Sequence, residues 1–137
     1  MVLSKRRMRK RIINDKLYSE SILSQKDIDL ITFKDLFEAS SGGDCLANTE
    51  MEYCAKSFAM AVRNVVISVE PDCIYVQGDF GKGNIVFRKE VLKQLSGIAI
   101  IGDRYNNSLF YDEKDVKKQE VYGAAYLMLM EYIDMLN

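Results

Sequence analysis

The residues best placed to handle a ligand form one short run, Gln77-Gly78-Asp79-Phe80-Gly81-Lys82-Gly83. Three glycines and a lysine in seven positions suggest backbone approaching an anion. The spacing is not that of a P-loop, because no Ser or Thr follows the lysine. A mobile loop with a solvated lysine accounts for Gly81-Lys82-Gly83 more simply. Read from the residues alone, Gly78 lets the chain turn from strand to loop, and Asp79 adds a carboxylate beside it. Elsewhere the chemistry is sparse. There is no histidine, and the three cysteines (Cys45, Cys54, Cys73) are widely spaced. The usual zinc ligand sets are missing, a disulfide framework is not expected, and the thiols read as reduced and buried.

The elements around this run follow an α/β order. Thr32 with Asp35 three positions on suggests a helix start, with Ile31 able to staple onto Leu36. Ser40-Ser41-Gly42-Gly43 ends that helix, and Asp44 caps a longer one. Met51, Cys54, Phe58, Ala61 or Val62, Val65 and Val69 recur every three or four residues, which predicts a helix over 45–69 with one buried stripe. Pro71, the only proline, prevents its continuation. Residues 73–77 have no polar alternation before Gln77, so they read as a strand buried on both faces. Asn84 starts a helix through Leu95. Ile98-Ala99-Ile100-Ile101 and Leu109-Phe110-Tyr111 read as further strands. A final helix over 117–136 is apolar nearly all round between Val121 and Leu129, and carries Gly123-Ala124-Ala125. Helix, proline stop, strand and Gly-rich turn place a ligand at the carboxyl end of a strand.

The bulk numbers suit a single folded domain. The chain has 137 residues, 48% of them hydrophobic and 28% charged, with a formal net charge of −1. That balance gives no overall attraction to nucleic acid or membrane. No apolar run is long enough to span a bilayer, and the start lacks an apolar signal core, so a cytoplasmic protein is expected. The charge is uneven, however. Lys5-Arg6-Arg7-Met8-Arg9-Lys10-Arg11 is dense in cations. It reads either as a phosphate-contacting segment or, more simply, as a solvated basic arm over 1–18 ahead of a domain over 19–137.

Two stretches carry a family resemblance. Gly43-Asp44-Cys45-Leu46-Ala47 and Ala61 through Asp72, with Val65-Val66-Ile67-Ser68-Val69-Glu70-Pro71 at its centre, resemble the last third of the ROK family of sugar-sensing repressors and sugar kinases. Glu120-Val121-Tyr122-Gly123-Ala124-Ala125 is similar to the family's last helix. The resemblance covers roughly Ser19 to Leu136. It implies the C-terminal lobe of an actin-like ATPase (ribonuclease H-like) fold, with a small mixed sheet packed against long helices.

It also implies that Gly78, Asp79 and Gly123 border a nucleotide cleft in kinase members. Here Gln77 replaces the first of the family's paired glycines and crowds the adenosine position. Lys118-Gln119 replace the acidic-small pair of the kinases. Both departures point to the repressor branch. The family's phosphate loop, catalytic aspartate and sugar-binding Asn-Asp pair have no counterpart in this sequence. Its cysteine-rich zinc motif would fall at Arg6 to Asp15, where there is no Cys or His.

The expectation is therefore the effector-domain portion of a sugar-responsive transcriptional regulator, not catalytic by itself. It has no catalytic residues, no metal and no cofactor of its own; ATP belongs only to a complete kinase homologue. The alternative is the C-terminal lobe of an ATP-dependent hexose kinase. Sugar effector and DNA would be engaged through parts of the family fold outside this sequence. The family's habit and the apolar final helix imply a homodimer.

Overall fold

The computed structural model describes residues 3–112. Gly123 and the helix expected over 117–136 lie outside the described residues.

Capping chemistry sets most helix boundaries. Thr32 and Asp35 form a reciprocal capping box at the start of α2 (Phe33–Ser41). Asp44 caps α3 (Cys45–Val69), its carboxylate accepting the amide of Ala47 at 2.9 Å. Glu70 ends α3 in a left-handed conformation, φ +50°, immediately before Pro71. Asn84 caps α4 (Ile85–Ser96) by accepting the amide of Phe87. Its own amide group donates to the carbonyl of Phe37, which joins the end of α2 to the start of α4.

β1 (Ile74–Val76) pairs in parallel with β2 (Leu109–Tyr111), Ile74 opposite Leu109 and Val76 opposite Tyr111. The amide of Asp112 donates to the carbonyl of Val76 at 2.8 Å and extends the ladder. Among the described residues this two-stranded sheet is the whole β structure, so the molecule is a mostly helical α/β fold. α4 lies in the connection between the parallel strands, as such pairing requires. The core fills the space between α3, α2, α4 and the sheet. Its centre is a cluster of rings in which Phe80 lies 4.8 Å from Phe33 and 5.2 Å from Phe58, and Phe37 lies 5.0 Å from Phe87.

Three sequence expectations change. The basic run is not a solvated arm: Lys5–Asn14 form helix α1, capped by Ser4, and Met8 and Ile12 are fully buried. Their i, i+4 spacing puts both on one face, and burying it docks the helix on the core. Ile98–Ile101 are not a strand but a series of turns. Only Ile101 of that run is buried, and Ile100 is 78% exposed, so no second sheet face is available to hold it extended. The thiols are not all buried. Cys54 is, but Cys45 is exposed and Cys73 half-buried, and all three are free.

Candidate functional site

The carboxyl ends of β1 and β2 bring Gln77, Gly78, Asp79 and Asp112 together. Gly78 has φ +74°, and nothing stands within 4 Å of where a Cβ would be. Its glycine requirement comes from the left-handed backbone, and the space beside it is open. Residues 78–82 then form a 3-10 turn. This is not the free loop expected around Gly81-Lys82-Gly83, because Phe80 plugs into the aromatic core and Gly81 is buried. A Cβ on Gly81 would overlap the carbonyl oxygen of Asp112 and stand 3.0 Å from that of Val76. One on Gly83 would press into the ring of Phe87. These two glycines serve close packing of the turn on the strand ends. Lys82 is exposed and opens onto a cleft of about 480 Å³ lined also by Lys34, Phe37, Ser41 and Asn84.

Gln77 does not crowd the open side of Gly78. It is only 7% exposed, and its amide donates to the Asp112 carboxylate at 3.2 Å. Asp79 meets Lys5 of α1 at 3.3 Å, both side chains 42% exposed. Lys5 and Asp112 thus stand beside Gly78 and Asp79, a proximity that sequence reasoning missed. Gly123 lies outside the described residues. Beneath the site, Arg88 donates to the carbonyl of Gly83 at 2.8 Å and stacks over the ring of Tyr111 at 4.7 Å. The hydroxyl of Tyr111 is buried without a hydrogen-bond partner among the described residues, and burial pushes its phenol well above the ordinary range.

A second polar cluster joins α1 and α3. Glu50 is 7% exposed and accepts from Arg11 Nε at 2.8 Å, while the Arg11 guanidinium rests 4.7 Å over the ring of Tyr53. Burial raises the Glu50 carboxyl above its ordinary value, and the hydrogen bond and charge of Arg11 oppose that only in part. Burial, with the Glu50 charge next in effect, pushes the Cys54 thiol up to about 12. A thiol so protonated is a poor nucleophile. Among the described residues, no group of three or more Cys, Asp or Glu is gathered closely enough to hold a metal ion. No described helix is long and apolar enough to cross a membrane.

The geometry is that of two parallel strand ends with open space beside a left-handed glycine, and with Asp79 and Asp112 engaged by Lys5 and Gln77. No family model matches the chain, and neither a curated protein nor a solved structure matches it.

Proposed function

We propose that this chain is the C-terminal effector-domain portion of a ROK-type sugar-responsive transcriptional regulator, built as the C-terminal lobe of an actin-like ATPase fold and not catalytic by itself. One observation carries the reading. After a long capped helix and a proline stop, β1 ends in a left-handed Gly78 beside open space, with a helical crossover to a parallel partner. Ligands of open α/β sheets sit at such strand ends. Two features favour regulator over kinase. Asp79 puts a carboxylate, paired with Lys5, at the mouth where an anionic nucleotide would lie. In the sequence, Lys118-Gln119 also stand where kinase members of the family carry an acidic-small pair. Gln77, drawn inward to Asp112, is not part of this argument.

The effector would be a sugar, bound with the help of the remainder of the family fold, and DNA would be met by a separate domain. Self-association as a homodimer belongs to the same proposal, supported by the apolar sequence Val121–Leu136. The test is twofold. The purified chain is incubated with ATP, magnesium and a panel of hexoses, and no turnover is expected. The chain is also grafted in place of the matching portion of a ROK repressor, and reporter expression should then respond to one of the sugars. Turnover of any hexose assigns the chain to the kinases. A folded chimera that binds its operator and responds to no sugar removes the regulator reading.

A further inference from the structure

The surface of α1 presents cations that no carboxylate of the described residues pairs. Six of its ten residues are Lys or Arg, and none is acidic. Three of the six are engaged: Lys5 with Asp79, Arg9 with the carbonyl of Ile31, and Arg11 with Glu50. Arg6, Arg7 and Lys10 are exposed, and none has a carboxylate at ion-pair distance among the described residues. Arg7, Lys10, Arg11 and Asn14 fall at i, i+3, i+4 and i+7, and line a shallow groove of about 560 Å³. The stripe runs about 10 Å along the helix. Because Met8 and Ile12 anchor α1 in the core, these charges sit on a rigid support instead of a floppy arm.

We propose that this face of α1 binds the phosphate backbone of duplex DNA without reading its sequence. Two observations choose the partner. An amphipathic helix binds a membrane by burying its apolar face, but here Met8 and Ile12 are already spent in the core, leaving Ile13 as the sole exposed apolar residue of α1. Single strands are held by aromatic stacking platforms, but the nearby exposed ring, Tyr53, is covered by the Arg11 guanidinium. What remains is a straight row of cations ending in an amide, suited to the regular phosphates of a duplex. Docking on the core also keeps α1 from entering a groove, so contacts go to the backbone, which positions without specifying. The proposal does not depend on the sugar-regulator reading, and a chain that senses no sugar would still bind.

Fluorescence anisotropy of a labelled mixed-sequence duplex of about 20 base pairs, titrated with the full chain at several salt concentrations, tests it. The dissociation constant is expected in the micromolar range at low salt. The logarithm of the association constant should fall against the logarithm of salt with a slope of about −2 to −3, near 0.9 per neutralised phosphate. The triple variant Arg6→Gln/Arg7→Gln/Lys10→Gln should bind at least tenfold more weakly with a slope near zero, its fold checked by circular dichroism. Lys56→Gln/Lys89→Gln/Lys93→Gln removes the same charge from other exposed positions and should bind within about twofold of the parent. Equal loss in both triples, a wild-type chain with no salt-dependent binding, or tighter binding to single-stranded RNA or phosphatidylserine vesicles than to the duplex would each overturn the proposal.

Discussion

Ser21 and Asp44 are 23 residues apart, yet the Ser21 hydroxyl donates to both oxygens of the Asp44 carboxylate, at 2.9 and 3.0 Å. The same carboxylate accepts the amide of Ile22 at 2.9 Å and that of Ala47, the helix-capping bond. One side chain thus starts the longest described helix and fastens the turns that lead from α1 to α2.

Asp44→Ala should therefore cost more than an ordinary lost cap, about 2 kcal/mol in urea unfolding, while Asp44→Asn should retain most of the capping. Burial acts to raise the Asp44 carboxyl, but the bonds from Ala47, Ile22 and Ser21 outweigh it and hold the group below its usual 3.8. The stability this gives is present above the unfolded value and is lost as pH falls through the lower folded one. The Asp44→Asn variant should show a shallower loss of stability below pH 4 than the parent. Parallel acid limbs for the two proteins would contradict the assignment.

The two glycines of the turn after β1 should respond differently to substitution. Gly81→Ala drives a methyl group into the backbone carbonyls of Asp112 and Val76, which cannot swing aside as a side chain would. A loss of about 2–3 kcal/mol is expected, with the β1–β2 junction displaced. Gly78→Ala meets no atom within 4 Å and suffers only from φ +74°, about 1–2 kcal/mol. Denaturant midpoints measured side by side settle the order. If Gly78→Ala proves the more damaging, the packing account of Gly81 is wrong.

Much of this frame was readable because its signals are local. Thr32 and Asp35, Asp44, Pro71 and Asn84 each act on residues within one turn, so the boundaries of α2, α3 and α4 follow from neighbours in the chain. Leu109–Tyr111 was equally plain as an apolar triplet after a polar stretch. The basic run misled because six cations hid the two residues that matter, Met8 and Ile12, whose i, i+4 spacing was the available clue. Ile98–Ile101 looked like a strand by composition, but its place in a sheet depended on a partner strand that sequence does not supply. At the strand ends, the adjacency of Gly78 and Asp79 was legible. Lys5 and Asp112 were not, since their partners Asp79 and Gln77 stand far away in sequence, Gln77 by 35 residues. Such pairings are products of the tertiary fold, and no periodicity announces them.

The Arg11–Glu50 pair yields the sharpest pH signature. Glu50 is nearly sheltered from solvent, and its carboxyl already sits above the ordinary 4.5 because burial outweighs the help it receives from Arg11. Arg11→Met keeps much of the packing against Tyr53 but removes the charge and the hydrogen bonds, leaving a buried carboxylate without its cation. At pH 7 this should cost about 2–3 kcal/mol, less than for a fully sealed pair because Arg11 reaches solvent. In the variant the carboxyl titrates higher still. With the folded value above the unfolded one, the native state binds the extra proton, so stability is greatest at low pH and declines as pH rises from about 4.5 through the folded value. Arg11→Met should accordingly lie closest to the parent near pH 4.5 and diverge from it toward pH 8. Adding Glu50→Gln should restore much of the loss at neutral pH and abolish the divergence, since the neutral amide has no charge to desolvate. Unfolding free energies at half-unit pH intervals for the parent, the single variant and the double variant would show this. A penalty constant from pH 4.5 to 8, or a double variant no more stable than Arg11→Met at pH 7, would mean that Arg11 acts through packing on Tyr53 and not through the Glu50 charge.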